Sequence, residues 1–218
     1  MILGNSHAWM FDNLIRTILV PQGYEVLGYY KGSCTVTSLI PVVNSAPIEK
    51  CATYYKGIRD FLKLNKVDLI IVSESEPFSI KIGSQGASFL DTQKLFWASY
   101  NKEISFLASK SKHLLVLGQT PTLKKPVLDC VDRNGAIDKS CSLTKGQSVI
   151  DFRQQELLAS KTSGANYLNI ADWLCSGYTC PLVIDNSLVY ADSNHVTDAM
   201  SLKMIPLMSA YLTENKLV

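Results

Sequence analysis

The sequence is short of charge, of histidine and of long apolar runs. Charged residues fill 18% of its 218 positions and leave a net charge of only +2. Lysine and arginine are scattered, with no basic stripe interleaved with aromatics, so nucleic acid is excluded as an expected partner. No apolar run approaches the roughly 20 residues that a bilayer-spanning helix needs. A basic start followed by an apolar stretch is missing too, so no signal peptide is visible. There is no C-x-x-C pair, and the three histidines, His7, His113 and His195, are dispersed, so a zinc site is disfavoured and no metal is expected. Internal repeats, low-complexity tracts, linkers and Asn-x-Ser/Thr sequons are all absent.

What is present suits one globular unit. Hydrophobic residues make up 47%, and the length allows one domain over 1–218 with a sizeable core. There are six cysteines: Cys34, Cys51, Cys130, Cys141, Cys175 and Cys180. An even number in Ser-, Gly- and Asp-rich stretches points to three disulfides and an oxidising compartment. Pairing neighbours gives Cys34–Cys51, Cys130–Cys141 and Cys175–Cys180; free thiols in a cytosolic protein are the alternative. An exported domain without a signal is expected to be a piece of a longer protein.

Short apolar runs alternate with amphipathic stretches. Strands are expected at Met1–Gly4, Tyr24–Tyr29, Val67–Ser73, His113–Gln119 and Asn166–Ile170. VDLIIVS and HLLVLGQ are nearly continuous apolar runs, as strands buried on both faces should be. Helices are expected at Ala8–Val20, Ala52–Leu64, Phe89–Lys110, Ser148–Lys161 and about Asp198–Leu212, the last kinked by Pro206. Phe11, Leu14 and Ile18 share one face of the first, and Ile58, Phe61 and Leu62 one face of the second. This succession predicts an α/β fold, a three-layer α/β/α sandwich around a central, mostly parallel sheet. Two long connections, 30–50 and 120–147, are rich in Ser, Pro and Gly and carry cysteine, which marks them as candidate functional loops.

Ligands of open parallel sheets bind at the carboxyl ends of the strands. In MILGNSHAWM, Ser6 stands just past such an end, on a turn opened by Gly4. A nucleophile there would have its own N–H at a helix start, where negative charge is favoured. A serine at this place can equally cap the helix that follows. Near the other end, LVYADSNHVTDAM puts Asp192 and His195 three apart, with Thr197 as the expected cap of the last helix. A histidine oriented by a carboxylate can take the proton of a serine hydroxyl. A solvated loop histidine beside a capping aspartate is the plainer alternative. His113 opens a buried strand, and His7, a helical neighbour of Ser6, points elsewhere.

These two ends, in this order, resemble the SGNH hydrolase family, with its serine in a GDS block and a late D-x-x-H. GNSHA is similar to the GDSHA block of SGNH domains attached to acyltransferase-3 membrane proteins, which O-acylate cell-surface glycans. WLCSGYTCPLVIDNSLVYADSNHVT resembles the C-terminal signature of that branch, and VLGQTPTLKKPVLDC its fourth strand and following loop. The resemblance implies a flavodoxin-like fold with Ser6 as nucleophile, His195 as general base and acid, and Asp192 as its orienting partner. It implies oxyanion donors at the N–H groups of Ser6 and Gly32, although Gly32 also reads as a plain turn glycine. Asn5 departs from the family's aspartate. VSESEPF lacks the asparagine of the family's third block, so either another group, with Ser75 as the candidate, donates to the oxyanion or the hole is weaker.

The implied activity is O-acyl transfer, with acetyl as the expected group, through a serine ester to a glycan hydroxyl. The acyl donor would come from a membrane acyltransferase domain. No metal or organic cofactor is required, and the place would be periplasmic, tethered to a bacterial inner membrane. A free-standing carbohydrate or lipid esterase and a catalytically silent glycan-binding module are the alternatives. Tyr54, Tyr55, Phe78, Trp97 and Tyr178 are aromatics capable of stacking on sugar, but core or loop packing is the expectation for each, and no site is assigned to them.

Overall fold

The structure is a computed structural model that describes residues 1–75, 77, 79–123, 126–131, 143–144, 152–176 and 179–218. The chain forms two compact units. One comprises Met1–Trp9, Leu27–Leu117 and Gln155–Leu168, and the other Met10–Val26, Gly118–Gln154 and Asn169–Val218.

The first unit holds the sheet. In chain order come β1 (Ile2–Gly4), α1 (Ser6–Trp9), α2 (Asp12–Leu19, in the second unit) and β2 (Gly28–Tyr30). A small hairpin of β3 (Val42–Val43) and β4 (Ala46–Pro47) leads into α3 (Lys50–Leu64) and β5 (Val67–Ser73). A second hairpin, β6 (Lys81–Ile82) and β7 (Gln85–Gly86), precedes α4 (Phe89–Ala108) and β8 (Ser111–Leu117). After β9 (Leu143–Thr144) and a helix at Phe152–Ser163, β10 (Asn166–Leu168) closes the series. The five-stranded sheet has the order β10-β8-β5-β1-β2, with every pair parallel. Helices flank it, giving the expected α/β class.

The residues explain the elements. Leu69, Ile70, Ile71 and Val72 of β5 and Leu114, Leu115, Val116 and Leu117 of β8 are all buried, which is why both strands read as continuous apolar runs. In α3, Cys51, Tyr54, Ile58 and Leu62 recur at helical spacing and are buried, while Phe61 is only half-buried. Tyr100, Ile104 and Leu107 do the same for α4, whose cap is Ser88, accepting from the Asp91 N–H. Strand ends differ from expectation by a few residues: β2 begins at Gly28, and β8 runs Ser111–Leu117.

In the second unit α2 packs against the helices Asp198–Lys203 and Ile205–Glu214, burying Leu14, Ile15, Ile18, Met200, Met208 and Leu212. The expected helix Ala8–Val20 is two helices, broken at Met10–Phe11, with its first turn in the other unit. The last helix is interrupted at Met204, and Pro206 lies in the first turn of the segment that follows, where its missing N–H costs nothing. Among the described residues no helix is long and apolar enough to cross a membrane.

Candidate active site

The sheet order, read from β2, is second, first, third, fourth, fifth strand, so the topology switches direction between β1 and β5. A ligand crevice belongs outside the carboxyl ends of those two strands. That is where Ser6 stands, as the first residue of α1 and half-buried. Gly4 is required in front of it: φ is +142°, and a Cβ there would lie 1.9 Å from the Ser73 carbonyl oxygen.

Ser6 does not cap α1; Asn5 does. The Asn5 side-chain oxygen accepts the His7 N–H at 3.0 Å, and its carbonyl accepts the Ala8 N–H at 3.1 Å. The same side chain crosses the switch point. Its Nδ2 donates to the Ser75 carbonyl at 2.9 Å and to Ser75 Oγ at 3.3 Å, and its Oδ1 accepts the Ser75 N–H at 3.4 Å. Asn5 therefore joins the turn that carries Ser6 to the loop after β5, and Ser75 is held against the residue that precedes Ser6.

Gly32 lies in an exposed turn after β2. The Lys31 N–H donates to the Gly4 carbonyl at 3.1 Å, and the Cys34 N–H closes the turn on the Lys31 carbonyl at 3.0 Å. Ser33 takes a left-handed φ of +62°. Two anchors fix this turn to α3. One is the Cys34–Cys51 disulfide. The other is Tyr54, whose hydroxyl hydrogen lies between the carbonyl oxygens of Gly4 (2.7 Å) and Tyr29 (3.0 Å) while its oxygen accepts the Gly4 N–H at 3.2 Å. Burial first, and the Glu74 carboxylate second, push the Tyr54 pKa far above the ordinary tyrosine value, so the hydroxyl keeps its proton. Sequence reasoning missed Tyr54 as a structural pin. The available signal was its place three residues after Cys51 on the buried face of α3.

In the second unit Asp192 and His195 come together as their spacing foretold. Asp192 Oδ2 lies 2.6 Å from His195 Nδ1, and Oδ1 accepts the N–H groups of Asn194 (2.9 Å) and His195 (2.8 Å). Burial works against the charged carboxyl, but these two N–H bonds and the His195 ring hold its pKa below the ordinary aspartate value. An ionised carboxylate only accepts, so Nδ1 of the neutral ring carries the hydrogen and Nε2 keeps its lone pair.

The turn is held from behind by the segment after β8. Thr120 Oγ1 donates to the Asn194 carbonyl at 2.6 Å, the Leu123 N–H to Ser193 at 2.6 Å, and the Val127 N–H to Asp192 at 3.3 Å. Thr197 caps the next helix, accepting from the Met200 N–H. His113 is half-buried in β8, and His7 is buried in α1.

Cys175–Cys180 is formed, as is Cys34–Cys51. Cys130 is also disulfide-bonded; its expected partner Cys141 lies outside the described residues, as do Phe78 and Tyr178. Among the described residues, no group of three or more His, Cys, Asp or Glu side chains is arranged to hold a metal ion.

A family model described as "SGNH domain (fused to AT3 domains)" matches residues 1–210. No curated protein matches the chain. Among solved structures, the periplasmic domain of a lipopolysaccharide acetyltransferase from Salmonella ser. Paratyphi A is similar in fold. It has a TM-score of 0.69 at 13% identity, covering 97% of this chain and 82% of that one.

Proposed function

The chain belongs to the family of SGNH domains fused to AT3 domains, and on that premise we propose that it is the extracytoplasmic part of an O-acyltransferase. The whole of 1–218 acts as one catalytic domain on the outer side of a bacterial inner membrane, and the acyl group, acetyl, is delivered by a membrane acyltransferase partner. The acceptor is a hydroxyl of a cell-surface glycan, in keeping with the lipopolysaccharide acetyltransferase whose fold is similar.

The observation that carries this reading is the 2.6 Å contact between Asp192 and His195, which leaves Nε2 as the basic face of the ring. In the reaction, Ser6 Oγ attacks the acyl carbonyl carbon and its proton passes to His195 Nε2. The oxyanion is met by the N–H groups of Ser6 and Gly32, with the Ser75 hydroxyl standing in for the family's third-block asparagine. Collapse expels the leaving group, which takes the proton from His195 and leaves an ester on Ser6. The acceptor hydroxyl then gives its proton to His195 and attacks that ester. The second collapse returns the proton to Ser6 and releases the acylated glycan. None of these steps needs a metal or an organic cofactor.

The test is intact mass after exposure to a serine-directed fluorophosphonate. Wild type should gain one adduct, Ser6→Ala none, and His195→Ala one at a greatly reduced rate. No adduct on folded, disulfide-intact wild type would sink the enzyme and favour a silent glycan-binding module. An adduct together with hydrolysis, and no transfer to any sugar acceptor, would make the chain an esterase instead.

A further inference from the structure

A cavity of about 430 Å³ lies at the β2 edge of the sheet, lined by Tyr29, Tyr30 and Lys31 and, across from them, by Lys50, Thr53 and Tyr54 of α3. Its volume falls within the range of small-molecule sites. No acidic residue lines it, and two lysines do. Among the described residues neither ammonium has a carboxylate partner. Tyr29 and Tyr54 stack in the wall with ring centroids 5.4 Å apart and planes 16° from parallel. Tyr54 is buried, with its hydroxyl taken by the backbone of Gly4 and Tyr29, so it backs the Tyr29 ring, and the half-buried Tyr29 and Tyr30 are the aromatics an occupant meets.

The Tyr29 and Tyr30 rings for the C–H side of a pyranose and two uncommitted cations for an anion describe one ligand class. We propose that this cavity is a subsite for an acceptor sugar bearing an acidic group, either a uronate carboxylate or a sugar phosphate. The subsite deepens the acyltransferase reading and rests on it for the role of acceptor. Its place suits that role: Lys31 precedes Gly32, and its N–H is bonded to the carbonyl of Gly4, two residues before Ser6. An occupant gripped by Lys31 and Lys50 is therefore held beside the nucleophile turn, and the charged group anchors the sugar without taking part in the chemistry.

The test is calorimetric titration of the 218-residue Ser6→Ala protein, in which no turnover can occur, with methyl β-glucuronide, glucose 1-phosphate and methyl β-glucoside. At low salt at least one charged sugar should bind about tenfold or more tighter than the neutral one, with the advantage falling as salt is raised. The tighter of the two charged arms identifies the source of the anion. Lys31→Ala/Lys50→Ala should bring charged binding down to the neutral level, and Lys31→Arg/Lys50→Arg should keep most of it, with melting curves showing both variants folded. Equal binding of all three sugars, or a preference for charge that survives the double alanine change, would overturn the subsite. Failure of fluorophosphonate labelling would instead remove the enzyme and leave this binding result standing.

Discussion

The Tyr54 hydroxyl is bonded to both polar groups of Gly4, accepting from the N–H at 3.2 Å and donating to the carbonyl at 2.7 Å. The bond sits at the carboxyl end of β1, two residues before Ser6, and shares its hydrogen with Tyr29 on β2. One buried phenol thus sets the relative height of the strand ends that carry Ser6 and Gly32. Tyr54→Phe should cost about 1–3 kcal/mol of stability, because it leaves buried peptide groups unpaired. Fluorophosphonate labelling should slow with it, since Ser6 and Gly32, the oxyanion donors proposed above, follow these strands. Denaturant melts and labelling rates check the pair; a stable variant labelled at the wild-type rate would refute the pinning role.

Asn5 is bonded on both of its polar atoms, so restoring the family's aspartate is not conservative here. In Asn5→Asp, a carboxylate oxygen replaces Nδ2 against the Ser75 carbonyl, a contact now at 2.9 Å. Acceptor would face acceptor, and a loss of about 1–3 kcal/mol is expected, measurable by denaturant melts. Asn5→Asp protein as stable as wild type would show that the loop after β5 does not depend on this bridge.

Gly4→Ala should be far worse. The added Cβ meets a backbone oxygen at 1.9 Å, and φ is +142°. Neither can relax by a side-chain rotation, so more than about 3 kcal/mol is expected to be lost. Soluble yield and thermal melting give the answer.

Asp192→Asn should leave the fold intact and slow labelling of Ser6 by about 10²–10⁴-fold, because the amide does not hold the ring tautomer that leaves Nε2 basic. The same variant carries a pH signature. The folded carboxyl titrates below its unfolded value, so between the two values the unfolded chain binds more protons and stability rises with pH. That stabilisation is complete above the unfolded value of about 3.9 and is lost as pH falls through the folded one. The gap in unfolding free energy between wild type and Asp192→Asn should therefore narrow below about pH 4, read from melts across an acid series.

The Cys34–Cys51 bridge closes a separation of 17 residues that begins at the end of the Gly32 turn. Replacing both cysteines with serine should cost about 3 kcal/mol by chain entropy. Labelling should also slow, since the bridge helps Tyr54 hold that turn to α3. Denaturant melts of the double variant set against its labelling rate separate the two effects.

Much of this was written locally. Continuous apolar runs gave β5 and β8 because strands buried on both faces have no polar side to show. Gly4 marked a turn only glycine can make, and D-x-x-H brought Asp192 to His195 because three residues of loop suffice to close that contact. Neighbouring cysteines paired at Cys34–Cys51 and Cys175–Cys180 because short separations close at the least entropic cost.

The tertiary structure decided what periodicity cannot carry. Apolar spacing runs unbroken from Ala8 to Val20, yet the helix breaks at Met10–Phe11, because its two halves pack into different units. Ser6 and Asn5 are both competent caps in isolation. Asn5 takes the part because only its amide can serve the His7 N–H and the Ser75 carbonyl together. Tyr54 reads as a core aromatic, and its hydroxyl acquires a role only where β1, β2 and α3 converge. Short-range chemistry is fixed by sequence spacing, whereas a bond between residues fifty or seventy positions apart exists only once the sheet has brought their strands together.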